Sequence, residues 1–431
     1  MAFRATTCVL LLALSIAPIC TAEGNFPEIF GWSTLDFEFP SDSARQSALR
    51  SGYFVPGNSQ PIDVQAVGDR VFITMPRWKE GIPATLASVP RSPPGCTEGT
   101  TCSPLLNPYP NWSWNSGDKS CDGLTSVFRV NVDKCGRLWV IDSGAVSILS
   151  AEGRKTLCPP QLLSFDLTTN RLIRRYRFPK TALKEGTLLV TVALDSVSTA
   201  DNCLNTYAYL ADVTSYGLVV TDTKRGNSWR VENKLFYPYP TWGTFNINGG
   251  TFDLMDGVLS LALHPELNPQ NRRLYFHAMA SARENYVPTS VLRNSSQANS
   301  RPREFVMSSG EKPSQSAASA FDSRGVLFFG LLGSNSLACY NPNKPHNPSN
   351  IHTVARNDLT MQFASGIKVD EDDRVWMMAS RFSAYFLGTL NNNDVNFRVL
   401  AAPSRDLTRG TPCDEGIRDS AGGYNPIRFG N

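Results

Sequence analysis

Residues 121–144 read CDGLTSVFRVNVDKCGRLWVIDSG, and the fold turns on how they are read. Two runs rich in β-branched and aromatic residues, Thr125 to Val132 and Arg137 to Asp142, flank a turn through Asp133, Lys134 and Gly136. That arrangement is the pattern of a β-hairpin. The second run opens with an arginine, an aliphatic residue and an aromatic one. The trio returns at Arg70-Val71-Phe72, Arg273-Leu274-Tyr275 and Arg374-Val375-Trp376, with a looser copy at Arg324-Gly325-Val326-Leu327-Phe328. One hairpin recurring along a chain marks a repeat architecture, in which each unit buries its faces only against its neighbours.

Extending each copy outward gives repeats of four strands. The second repeat takes Thr125 to Val132, Arg137 to Asp142, Gln161 to Leu167 and Leu172 to Phe178. In the fourth the strands are Val258 to His264, Arg273 to Ala280, Val287 to Arg293 and Glu304 to Ser308. The sixth supplies Gly366 to Asp370, Arg374 to Ala379 and Phe397 to Ala401, and then runs out of strand. Ile29 to Phe39, IFGWSTLDFEF, alternates well enough to be the missing member. A strand borrowed from the other end closes the ring and removes an open sheet edge. The expected fold is therefore all-β: a six-bladed β-propeller of four-stranded antiparallel blades, its ring closed by an N-terminal strand. Pro90 to Pro110, Pro238 to Gly250 and Gly410 to Asn431 are too long for simple turns and read as ordered loops or a tail. No helix-period stripe is visible.

Arg4, the apolar run Cys8 to Ile19 and the small-residue site Cys20-Thr21-Ala22 have the form of a secretory signal peptide. The expected organisation is a signal peptide over 1–22, one propeller domain over 23–416 and a tail over 417–431. A net charge of +3 with 18% charged residues gives no basic face for nucleic acid, and no later segment has the length and apolarity of a membrane helix. Eight cysteines remain after the signal, an even number in an oxidising compartment, which points to disulfides. Cys339 with Cys413 and Cys158 with Cys203 are the expected closures; Cys96, Cys102, Cys121 and Cys135 stay open. Asn111-Trp112-Ser113 and Asn294-Ser295-Ser296 are glycosylation acceptors and belong at the surface. No GxSxG elbow, P-loop, HExxH or dinucleotide fingerprint occurs. The acidic groups Asp370 to Asp373 and Asp253 with Asp256 lack EF-hand spacing. No cofactor and no metal are assigned.

The block Pro76 to Leu86 (PRWKEGIPATL), the stretch Cys121 to Gly144, Tyr209-Leu210-Ala211-Asp212, Tyr275-Phe276-His277 and Gly325 to Gly330 together resemble the yellow/major royal jelly protein family of insects, more its yellow branch than its nutritive one. The resemblance runs from Phe30 to about Gly416 and implies a secreted six-bladed propeller. It also implies a role in melanin, pigment or cuticle formation, with conversion of dopachrome to dihydroxyindole in the channel as the leading expectation. Binding of a biogenic amine such as dopamine or serotonin, and a non-enzymatic place in cuticle or eggshell, are the alternatives. The partner class is a small catechol- or indole-derived ligand.

In a propeller, the loops entering each first strand meet those joining second to third strands at one end of the channel. A quinone bearing a carboxylate needs a cation for the carboxylate, aromatics for the flat ring and a base for a proton. By position, Arg77 or Arg381 is the cation, Trp78, Tyr216, Phe363 and Phe382 are the aromatics, and Asp142 or His277 is the base. Each has a plainer reading. Asp142-Ser143-Gly144 also reads as a turn bonding its own backbone, Arg77 and Arg381 as bridges between blades, and His277 as a hydrogen-bonded core histidine.

Overall fold

The computed structural model describes residues 26–96, 101–117, 120–150, 153–266, 268–270 and 272–414. The expected signal peptide and the 417–431 tail lie outside them. Six four-stranded antiparallel sheets form a β-propeller. Their innermost strands are Asp63–Val67, Val127–Val132, Leu189–Ser196, Val258–Leu263, Ser319–Phe321 and Ala364–Val369, and each touches the next around a closed ring. The sixth blade is completed by Glu28–Trp32, which pairs antiparallel with Phe397–Pro403. Phe30 and Trp32 are buried there, and Trp32 Nε1 donates to Pro104 O at 2.9 Å, so the closing strand is fastened to blade one as well.

The repeated signature is longer than the trio. In blade two the turn residue Asp133 accepts the N–H groups of Cys135 (2.9 Å) and Arg137 (3.2 Å), and its other oxygen takes Trp139 Nε1 at 2.6 Å. Asp370 does the same for Asp372, Arg374 and Trp376 in blade six. Asp322 holds Arg324 and Val326 in blade five. An aspartate bonding backbone two and four residues on fixes the turn locally, and the left-handed position three residues after it is Gly136, Gly325 or Asp373. The aromatic ends of the repeats, Phe72, Trp139, Tyr275, Phe328 and Trp376, fall one each into five separate hydrophobic clusters between adjacent blades. They are inter-blade packing residues.

Several sequence expectations change. The disulfides are Cys96–Cys102, Cys121–Cys158, Cys135–Cys203 and Cys339–Cys413. The expected Cys158–Cys203 bridge does not form. Cys158 precedes a third strand and lies at the mouth face, whereas Cys203 follows a first strand and lies at the opposite end. Strands of this length separate the two ends by roughly 20 Å, well beyond disulfide reach. In blade four the third strand stops at Pro288, where a short helix Thr289–Leu292 begins, and the fourth is only Val306–Met307. A ten-residue helix, Asp42–Ser51, is capped by Ser41, whose side chain accepts from Ala44 N–H, and by Gly52 at φ 75°. The Pro238–Gly250 segment carries a hairpin, Thr244–Ile247 with Gly250–Asp253. No helix of the described residues is long and apolar enough to cross a membrane. Four disulfides fit folding in an oxidising compartment.

Trp32→Ala removes the anchor of the closing strand and is expected to cost about 3–5 kcal/mol. Urea denaturation checks this. An unchanged midpoint would mean that the ring does not depend on Glu28–Trp32.

Candidate functional site

The channel is built from irregular strands. Register shifts mark the starts of four innermost strands, between Val127 and Val130, Leu189 and Thr191, Val258 and Ser260, and Ala364 and Gly366. Such bulges release backbone groups from the ladder and re-aim them. Around them Phe128 O accepts Thr74 Oγ1, Leu259 O accepts Thr191 Oγ1 (both 2.6 Å) and Ser365 O accepts Arg129 Nη2 at 2.7 Å. Arg129 also donates to Thr191 Oγ1 and Ala317 O, so this one side chain ties four blades together. Lys368 Nζ bonds Val130 O at 2.8 Å and lies 3.4 Å from Asp63 Oδ2. Burial pushes both Arg129 and Lys368 below their usual ranges, opposed by Asp63. The waist of the channel is thus occupied by protein.

The mouth is aromatic. Trp78 contacts Phe128 and Phe382, each with ring centroids 5.9 Å apart, and Phe363 stacks on Phe382 at 4.2 Å. Phe382 in turn meets Phe252 of the 244–253 hairpin, which stacks on Phe245. Phe363 is held at φ 42°, a conformation that costs a bulky residue about 1–3 kcal/mol. The hairpin is fastened to blade five and the loop after it. Gln315 Nε2 donates to Trp242 O and Thr244 O, Asn248 Nδ2 donates to Asp358 O, and Asn335 Nδ2 donates to Asn248 Oδ1.

The expected cations and bases are committed elsewhere. Arg77 gives every guanidinium nitrogen to main-chain carbonyls, those of Ile82, Leu124, Thr125, Pro83 and Asn115, and bridges blades one and two. Arg381 Nη1 pairs with Asp394 at 2.5 Å. Asp142 is fully buried and accepts four hydrogen bonds, from the N–H groups of Thr125, Ser126 and Gly144 and from Gln161 Nε2. A side chain at Gly144 (φ 66°) would meet Cys158 O at 1.9 Å, so this turn is structural. His277 has no exposure; Nδ1 lies 2.8 Å from Glu284 Oε2 and Nε2 3.1 Å from Ser316 O. Lys312 Nζ donates to the same Glu284 oxygen at 3.0 Å. Burial works to raise Glu284, yet His277 and Lys312 hold it down at about 2. Trp78, Phe363 and Phe382 do come together at the mouth. Tyr216 stands on its rim at φ 51°, 4.9 Å from Tyr237. The two acceptor asparagines, Asn111 and Asn294, are exposed.

Two half-buried ionisable groups that the sequence did not assign to the mouth lie on this face. Lys79, next to Trp78, rests 4.0 Å from the centre of the Tyr385 ring, with no carboxylate partner among the described residues, and burial lowers it. Asp256, two residues before the fourth innermost strand, takes no hydrogen bond on its carboxylate from any described residue, and burial raises it from 3.8 to about 7. Its backbone is fixed by Ala280 N–H donating to Asp256 O. Position was the available signal: both stand in loops of the classes that build the mouth. Among the described residues no group of three or more His, Cys, Asp or Glu is placed to hold a metal.

The family described as Major royal jelly protein matches residues 125–413. "Protein yellow" of Drosophila guanche is 34% identical over 423 residues, covering 96% of this chain and 72% of that protein. "Protein yellow" of Drosophila melanogaster is 34% identical over 97% of this chain and 75% of its own length. A solved structure of virginiamycin B lyase from Staphylococcus aureus aligns at 10% identity over 80% of this chain and 95% of that one, with a TM-score of 0.40, too slight a likeness to bear on activity.

A carboxyl raised in the folded state binds its proton more tightly there than in the unfolded chain. Deprotonation of Asp256 therefore costs stability as pH rises above 3.8, and the cost is complete above about 7. Asp256→Asn is expected to leave the melting temperature unchanged near the low end of that window and to raise it progressively toward the high end. Thermal melts across pH check this, and a gain independent of pH would contradict it.

Proposed function

The chain belongs to the major royal jelly protein family, and on that premise we propose that it is a secreted yellow-type protein of pigment and cuticle formation that converts dopachrome to dihydroxyindole at the channel mouth. The supporting observation is the aromatic cluster of Trp78, Phe363 and Phe382, in which Phe363 and Phe382 are buried and Trp78 is half-buried, with Lys79 next to Trp78 and Asp256 in a loop of the same face; among the described residues neither charged end has an ionic partner. In this reading Lys79 replaces Arg77 and Arg381 as the cation, and Asp256 replaces Asp142 and His277 as the base.

The flat bicyclic ring lies against Trp78, the half-buried member of the aromatic cluster, and its carboxylate takes a charge-assisted hydrogen bond from Lys79. Breaking the bond to carbon dioxide leaves its electron pair in the ring. One proton from the neighbouring ring carbon and one from solvent end on the two quinone oxygens, so the product is a catechol and no outside oxidant or reductant enters. Asp256 accepts the carbon-bound proton. A base whose pKa is near the working pH suits that task, and the raised value follows from burial. The waist below, filled by Arg129, Lys368 and Asp63, keeps the reaction at the surface end of the channel.

An amine ligand is the second reading. It is favoured by one arrangement: the Asp256 carboxylate stands next to Gly257, against which the Tyr216 ring is packed closely enough that a side chain there would meet it at 2.4 Å. Carboxylate and aromatic ring together suit an ammonium on a flat body.

Purified mature protein is expected to speed dopachrome decay over buffer, with a rate that rises through about pH 7 as Asp256 ionises. Asp256→Asn lowers kcat by about 100-fold or more, and Lys79→Gln chiefly raises KM. Decay no faster than buffer between about pH 6 and 8, the range in which such groups titrate, removes the enzyme reading. Calorimetric binding of dopamine or serotonin without turnover then favours the amine reading.

A further inference from the structure

On the outer side of blade three a groove of about 490 Å³ opens between the Lys180–Lys184 loop, the outermost strand and the segment leading out of the blade-four helix. Its lining includes Lys180, Leu183, Trp229, Ser295 and Asn299. Ser295 is the middle residue of the acceptor sequence Asn294-Ser295-Ser296, so the acceptor stands on the rim of the groove.

Asn294 is exposed, and its geometry is that of a free acceptor. The carbonyl oxygen of its side chain takes a hydrogen bond from Ser296 Oγ at 2.8 Å, while its amide nitrogen bonds to no described residue. Beside it the Trp229 indole is fixed in orientation. Nε1 donates to Leu292 O at 3.1 Å, two residues before Asn294, and the ring meets Tyr207 edge-on at 6.4 Å. Trp229 is half-buried and faces the groove with what remains. Asn299 cannot move away, since Oδ1 accepts from Glu232 N–H and Nδ2 donates to Arg230 O. Lys184 closes the far wall through its pair with Glu232 at 2.5 Å. An N-acetylhexosamine presents an apolar face of C–H bonds and an edge of hydroxyls. The apolar face matches an indole held flat, and the hydroxyl edge matches the polar wall that includes Lys180, which has no ion pair among the described residues.

We propose that the N-linked glycan carried by Asn294 folds back into this groove, its first sugars stacked on Trp229, so that the groove is a docking site for the protein's own carbohydrate. The carbohydrate then covers the outer edge of blade three and the loop that links it to blade two.

The test uses the full chain secreted from a eukaryotic cell. Glycopeptide mass spectrometry is expected to find Asn294 occupied. Hydroxyl-radical footprinting is expected to oxidise Trp229 at least threefold faster in Asn294→Gln than in the glycosylated protein, with the other tryptophans unchanged. Under native conditions, enzymatic release of the Asn294 glycan is expected to be at least tenfold faster from Trp229→Ala than from the parent. An unoccupied Asn294, or equal Trp229 oxidation with and without the glycan, overturns the proposal. The footprinting arm leaves Trp229 intact and so does not depend on whether Trp229→Ala folds.

Discussion

A twisted four-stranded sheet has two faces to bury, and none of these blades can bury both by itself. Everything else in the structure follows from that constraint. Five blades each present one large aromatic residue from the second strand to the next blade, and in blades two and six the aspartate turn ahead of it bonds the indole and sets where it stands. Burying a side chain of that size contributes about 1.5–3 kcal/mol or more, but only while a neighbour is present. The ring has to close, and blade six closes it with a strand from the opposite end of the chain.

Closure creates a channel, and the channel creates a difficulty of its own. Six strands converging on an axis bring unpaired backbone groups together, and the waist also holds two cations against one carboxylate. Buried charge is costly unless hydrogen-bonded. The bulged strands supply part of the answer, since the carbonyls they turn out of the ladder accept from Arg129 and from threonines on neighbouring blades. The solution leaves no room at the waist. What is left open lies outward, at the loops of the mouth, where Trp78, Phe363 and Phe382 meet.

How far the sequence was legible depended on whether a signal repeated. The hairpin and its trio recur, so blade number and strand order could be read from periodicity, and the alternation of IFGWSTLDFEF pointed to the closing strand. Features that occur once were harder. Asn248-Gly249, at φ 49° and 80°, is a strong two-residue hairpin signal, but it was hidden by its Pro-rich flank. The helix Asp42–Ser51 buries only Ala48, so it carries no apolar stripe to detect. That Trp78, Phe363 and Phe382 share one end of the channel could be anticipated from loop position. That Arg77 and Asp142 are tied up could not, because their partners, such as Asn115 O and the Gln161 side-chain amide, are far away in sequence. Lys79 and Asp256 have no such partners among the described residues. Cysteine pairing failed for the related reason that sequence spacing does not say which end of a blade a loop occupies.

The strand Glu28–Trp32 is made early and its partner Phe397–Pro403 late. During synthesis this strand has nothing to pair with until nearly the whole propeller has been made. Five blades can stack in order as they appear, while this segment waits as an unpaired apolar edge, the kind of surface on which chaperones act and chains misassociate. Completion of the propeller is therefore a single late event, the pairing of Glu28–Trp32 with Phe397–Pro403.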